Sequence, residues 1–172
     1  MVVWDIGANC GTFAFSCDAA ATVIAVEADA FLAGLLRKSA AGSAANVVVV
    51  EGAVSDQVGT AEFTVAARGR ASNHLSALAG HSQTGGERSR VIVPTVTLDS
   101  LLAGHGAPDL IKIDIEGAEP QALRGAVKML REVRPLIYLE VTSDTEEAIR
   151  STFEAANYGV EEQEGNWLAT PH

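Results

Sequence analysis

Short apolar runs and amphipathic stretches take turns along this chain. Residues 2–6 (VVWDI) read as a strand, 11–19 as a short helix, 22–27 (TVIAVE) as a strand and 30–41 as an amphipathic helix. A third apolar run covers 47–53. The rhythm resumes with a strand at 110–115 (LIKIDI), a helix at 120–132 with Pro120 in its first turn, a strand at 136–141 (LIYLEV) and a helix at 145–156. Residues 158–162 and 167–170 flank Glu164, Gly165 and Asn166, which predicts a closing hairpin. Strand-then-helix repetition predicts an α/β fold with a mostly parallel sheet, right-handed crossovers and helices on both faces. The Val-rich and Ile-rich strands suit burial on both sides.

One segment breaks the rhythm. Residues 61–65 (AEFTV) and 90–96 (RVIVPTV) read as short strands with no helical period between them. The polar, Gly-rich and Ser-rich stretch that joins them predicts a mobile loop over 66–90. No repeat or linker divides the 172 residues, so one domain over 1–172 is expected.

Composition narrows the partners. Hydrophobic residues make up 48%, enough for a sizeable core. No apolar run approaches a membrane span, and the start lacks the features of a signal peptide. A soluble, cytoplasmic protein with no membrane partner is the expectation. The formal net charge of −10 repels phosphate backbones, which argues against nucleic acid. Much of that charge falls late, from Glu140 to Glu164, and reads as a solvated acidic face. Locally, Arg68, Arg70, Arg88 and Arg90 outnumber Glu87. Cys10 and Cys17 have neither a disulfide framework nor zinc spacing around them and read as small buried packers.

The first strand runs into Gly7-Ala8-Asn9-Cys10-Gly11. In open α/β sheets ligands bind beyond the carboxyl ends of the strands, where strand order reverses. Glycines let the backbone approach a ligand, and a helix behind them would offer free N–H groups. Glu27 closes the second strand twenty residues after Gly7, where an acid can accept from a ribose diol. The alternative is a tight turn with a surface acid. A dinucleotide fingerprint would need glycine where Asn9 and Thr12 stand. A nucleoside without a phosphate is easier to place, and S-adenosylmethionine is one. Its amino-acid end would lie by the loop and Asp5, unless Asp5 is satisfied by backbone N–H groups.

The stretch DLIKIDIEGAEP is the sharpest anomaly. Side chains alternate along a strand, so Ile111, Ile113 and Ile115 share one face while Lys112, Asp114 and Glu116 share the other. Charges inside a parallel sheet are costly unless paired or facing a cleft. Glu140 in LIYLEV would stand at the height of Asp114. The set is either a reaction site beside the nucleoside or a buried ion-pair network centred on Lys112. Asp114 and Glu140 offer the hard oxygen ligands that Mg²⁺ prefers. Asp114 or Glu116 could instead act as a metal-free base, and His74 on the loop is a third candidate.

Six pieces in this order give the chain a resemblance to the FkbM family of S-adenosylmethionine-dependent methyltransferases. They are DIGANCGTFAF, VEADAFLAGLLRKSA, NVVVVEGAVSDQVGTAEFTV, VPTVTLDSLL, PDLIKIDIEGAEPQALRGA and RPLIYLEV. The resemblance implies a Rossmann-like class I methyltransferase, with a mostly parallel seven-stranded sheet, helices on both faces and a closing antiparallel hairpin. It implies methylation of a hydroxyl on a sugar or natural-product scaffold. Carried over by motif, Asp5, Gly7, Ala8, Asn9 and Gly11 line the methionine end of the cofactor. Glu27, with Ala28 beside it, would bind the ribose, and Ala53 and Glu51 would lie near the adenine. Asp114, Glu116 and Glu119 would sit at the reaction site or its floor, with Lys112 among them. Many members carry Glu-Pro where this chain has Glu27-Ala28. Helices that usually precede the first strand are not in this sequence, so a lid is expected from 66–90, a second subunit or an upstream segment. Two other readings stay open. One is an NAD-dependent oxidoreductase, disfavoured by the missing glycines and the lack of a Tyr–Lys or His catalytic pair. The other is a cofactor-binding module that is incomplete or transfers nothing.

Overall fold

The computed structural model describes residues 1–67, 73–76 and 87–172. Arg68, Arg70 and His81 lie outside the described residues. The first half of the main sheet is β1 (Val2–Ile6), β2 (Thr22–Glu27) and β3 (Asn46–Glu51), with helix α1 (Ala30–Ala41) crossing between β2 and β3. After a short β4 (Ala53–Val54) the chain leaves this sheet for β5 (Gly59–Ala66), β6 (His74–Leu75) and β7 (Glu87–Val96). It returns through α2 (Leu98–His105), β8 (Leu110–Ile113), α3 (Glu119–Arg124), β9 (Leu136–Glu140), α4 (Glu146–Ala155), β10 (Tyr158–Gln163) and β11 (Asn166–Pro171).

Seven strands form the main sheet in the order β10-β11-β9-β8-β1-β2-β3. β11 is antiparallel to both its neighbours, and the other pairings are parallel. Glu164 and Gly165 both have positive φ, the geometry of a tight turn that matches strand twist, and so the last hairpin closes as expected. The order reverses at β1, which has β2 on one side and β8 on the other. Trp4, Ile6, Ile24, Ile111, Ile113, Ile137 and Leu139 pack on one face against α2, α3 and α4. Val3, Val23 and Ala25 pack on the other face with Leu36 of α1. Lys112 is opposite Asp5 in register, on that second face.

Four expectations need correction. Residues 11–19 hold only a single 3-10 turn, Ala14–Ser16, and no side chain caps it. The opening loop therefore has no α-helix dipole behind it. The helix expected over 120–132 stops at Arg124, and a π-helical turn at Met129–Val133 follows. The run at 47–53 splits at Gly52, whose N–H donates to the Glu27 carbonyl. Finally, the strand expected over 110–115 ends at Ile113. Of the loop expected over 66–90, residues 68–72 and 77–86 lie outside the described residues. β5 reaches Ala66 and β7 begins at Glu87, giving a second sheet in the order β4-β7-β5-β6. Helix α2 was not expected. A reciprocal pair of hydrogen bonds between Thr97 and Ser100 starts it.

Gly125, at the C-terminal end of α3, is tightly packed. A Cβ there would collide with the Ser55 carbonyl and crowd Thr97 Cβ at 3.1 Å and Asp56 Cα at 3.2 Å. Gly125→Ala should cost ~1–3 kcal/mol, because a packed backbone cannot move aside cheaply. Gly104 in α2 has open space around its Cβ position. Gly104→Ala should therefore be neutral or stabilise by up to ~1 kcal/mol. Chemical denaturation of both variants checks the contrast.

Candidate functional site

The first turn after β1 depends on a close backbone approach. Gly7 has a φ of 78°, and a Cβ there would run into the Asp114 carbonyl oxygen. Its N–H and that of Ala8 both donate to the Val26 carbonyl at 3.0 Å, and the Asp114 N–H donates to Ile6 at 3.1 Å. The ends of β1, β2 and β8 are thereby drawn together. Asn9 takes a φ of 52°, which asparagine tolerates better than most residues.

A cavity of about 510 Å³ opens at this point. That size suits a small organic ligand. Its polar part is formed by Glu27, Lys112, Asp114 and Glu116, and its apolar part includes Ala53, Val54, Phe63 and Leu75. Gly7, Ala8, Asn9 and Ala28 also line it. Nine residues singled out from the sequence thus meet on one wall, from segments far apart in the chain.

Glu27 is buried and holds the loop. Its Oε2 accepts from the Asn9 N–H and its Oε1 from the Asp29 N–H, both at 2.8 Å. Burial pushes its carboxyl above the ordinary value, and these N–H groups oppose that. Asp29 in turn caps α1 by accepting from Phe31 at 2.9 Å.

The segment after β8 places a second acid. Glu119 is 1% exposed and accepts from the Ile115 N–H at 2.9 Å, which shapes the turn. Burial pushes its carboxyl up to about 6. Glu116 sits in that turn with a φ of 54°, a conformation that costs free energy in a non-glycine residue. The backbone there turns Glu116 onto the cavity wall. Burial, with repulsion from Glu140 and Asp114, pushes its carboxyl up to about 7.

Lys112 reaches three acceptors. Its Nζ donates to the Gly7 carbonyl at 3.0 Å and lies 3.2 Å from Asp5 and 3.4 Å from Asp114. This is the ion-pair network that the charges in β8 foreshadowed, and it stands on the cavity wall.

Other expected site residues lie elsewhere. Asp5 is fully buried and off the cavity wall, because the pleat of β1 turns it under the loop toward Lys112. Gly11 is also off the wall. A Cβ there would strike the Phe15 ring and Leu36, so this glycine serves packing behind the loop. Glu51 faces outward and pairs with Arg37 of α1 at 2.8 Å. His74 is a buried member of β6, and its neighbours Asn73 and Leu75 line the cavity while it does not. Cys10 is exposed on the cavity rather than buried. No group of three His, Cys, Asp or Glu side chains among the described residues is arranged to hold a metal ion. The Asp114–Glu140 site for Mg²⁺ is therefore not supported.

Among the wall residues that escaped the sequence reading are Phe63 and Leu75, from the second sheet, and Asn73, just before β6. The Asn73 amide accepts from Ala66 N–H at 2.9 Å and donates to Asp29 at 2.8 Å, which latches the second sheet to the start of α1. No local signal marks these residues, since strand pairing places Phe63 and Leu75 and a contact to the distant Asp29 holds Asn73.

The strand order, the reversal at β1 and the cavity beyond it define a Rossmann-like class I methyltransferase fold. A sequence profile described as the Methyltransferase FkbM domain matches residues 5–160, and the chain belongs to that family. It is 25% identical over 138 residues to the hexuronic acid methyltransferase AglP of Haloferax volcanii, covering 79% of this chain and 54% of that protein. The chain thus spans about half the length of this curated relative. A crystal structure of a methyltransferase FkbM from Methylobacillus flagellatus KT superposes with a TM-score of 0.65 at 15% identity, covering 96% of this chain and 42% of that one. A precorrin-6y C5,15-methyltransferase from Geobacter metallireducens GS-15 gives 0.59 at 17% identity, covering 100% and 80%. These two likenesses show the fold.

Glu116 makes the site sensitive to pH. A carboxyl raised in the folded state binds its proton more tightly there than in the unfolded chain. Its stabilising contribution is complete below about pH 4.5 and is lost as pH rises through about 7. Thermal unfolding across that range should show a falling melting temperature in the wild type and a shallower fall in Glu116→Gln.

Proposed function

We propose that this cavity binds S-adenosylmethionine and that the protein methylates a hydroxyl group on a small polyhydroxylated acceptor. The observation that carries the reading is the pairing, on one wall, of the Glu27-braced loop with the Lys112–Asp114–Glu116 set. The residues fit the cofactor. Glu27 has its carboxylate at the end of β2, where a ribose diol can donate to it. Ala53, Val54, Phe63 and Leu75 offer an apolar end for an adenine. Asn9 and Asp114 offer polar partners for an amino-acid end.

When bound, S-adenosylmethionine supplies a methyl group on a cationic sulfur that leaves as a neutral thioether. The protein's remaining tasks are alignment and one proton transfer. Glu116 Oε accepts the proton of the acceptor hydroxyl, and a carboxyl near neutrality is suited to that exchange at physiological pH. Asp114, paired with Lys112, orients the acceptor beside it. The hexuronic acid named for the relative from Haloferax volcanii favours a sugar-like acceptor. In this reading the methyltransferase is cytoplasmic and has no nucleic-acid or membrane partner. The formal net charge of −10 supports the former, and no helix among the described residues is long and apolar enough to cross a membrane.

Transfer of labelled methyl groups to a panel of sugars and polyols tests the proposal. Activity should rise with pH through about 7, as Glu116 loses its proton. Glu116→Gln should lower kcat by about 10²- to 10⁴-fold with a smaller change in KM for the cofactor. Glu27→Ala should raise that KM by about tenfold or more, since a braced loop and a charged acceptor are lost together. A panel in which no hydroxyl compound is methylated by the wild type would contradict the reading.

A further inference from the structure

Asp5 presents a puzzle that the proposed reaction does not absorb. It is 0% exposed, and among the described residues neither carboxylate oxygen has a partner in strict hydrogen-bond geometry. Lys112 Nζ stands 3.2 Å from Oδ1 as an ion pair, and together with the Ala14 N–H it opposes the rise that burial gives this carboxyl. Buried groups in this condition are uncommon and have a cause. Stability alone is a poor cause, because a well-packed apolar pair in place of a buried ion pair is often as stable or more so.

The cause lies in what Lys112 touches. Its ammonium has three donors and no acceptor. Its three partners come from three places: Asp5 within β1, Gly7 in the loop after β1, and Asp114 just past β8. The last two converge where the strand order reverses. The Gly7 carbonyl oxygen and the Asp114 carboxylate are both negative and both within 3.4 Å of the same nitrogen. Without that nitrogen they would repel each other where the backbone is already packed tight. A lysine stem is flexible, and its ammonium needs an anchor from below to stay between them.

We propose that Asp5 and Lys112 form a positioning pair: Asp5 anchors the ammonium under the floor of the cavity, and Lys112 holds the Gly7 loop and Asp114 at the spacing the ligand requires. Neither is a catalytic residue in this role, and Asp5 does not line the cavity. The inference rests on the reading of the cavity as a site for S-adenosylmethionine.

The test is a double-mutant cycle of Asp5→Asn and Lys112→Met in the full chain, read by thermal unfolding and by calorimetric titration with S-adenosylhomocysteine. Lys112→Met strands a buried carboxylate and should melt well below the wild type. The double variant has no stranded charge and should melt above Lys112→Met. Affinity should behave differently. It should fall about tenfold or more in Lys112→Met and stay as low in the double variant, whose Gly7 carbonyl and Asp114 have still lost their shared donor. A merely structural pair would recover affinity along with stability, so wild-type affinity in the double variant would overturn the positioning role. Melting effects that simply add would overturn the pair itself, whether or not the ligand binds. Failure of the functional reading is separable, since it appears as a wild-type chain that does not bind S-adenosylhomocysteine at all.

Discussion

The whole site depends on one backbone contact, the approach of Gly7 to the Asp114 carbonyl. That approach is open only to a residue without a Cβ. It joins the first turn of the sheet to the segment after β8 across the point where strand order reverses. Three side chains brace the two segments that meet there. Glu27 braces the loop from β2, Glu119 shapes the turn from below, and Lys112 spans the gap between the two.

The junction concentrates negative charge that the fold must manage. Asp5, Glu27, Glu116 and Glu119 all have carboxyls pushed above their ordinary values, with burial the leading cause in each. The structure handles them in three ways. Glu27 and Glu119 accept backbone N–H groups, Asp5 faces a lysine, and Glu116 is left to share its surroundings with Glu140 and Asp114. Only the last arrangement leaves a carboxyl poised near neutrality on the cavity wall. Bracing and chemistry are therefore divided among acids that look alike in sequence.

Much of the main sheet was legible because its strands repeat a simple pattern. The alternation of Ile111 and Ile113 with Lys112 placed the lysine on the opposite face correctly, but the strand ends at Ile113, so Asp114 and Glu116 are placed by the turn beyond it; the Glu164-Gly165 turn announced the hairpin. What was not legible depended on distant partners. A run such as residues 11–19 looks helical, but Gly11 at a φ of 89° and the absence of a cap leave it one 3-10 turn. Glu51 is the register neighbour of Glu27, yet Arg37 on α1 draws it outward. His74 stood out because histidine is chemically conspicuous, whereas its quiet neighbour Asn73 holds the latch to Asp29. The second sheet arises from β5 pairing with β7, and no local pattern encodes which strand a short apolar run will choose.

Calorimetric titration of the wild-type chain with S-adenosylhomocysteine and, separately, with NAD tests the central claim most directly. The account predicts a single saturable site for S-adenosylhomocysteine, at micromolar affinity, and no heat of binding with NAD. Binding of NAD alone would contradict the account, and so would binding of neither.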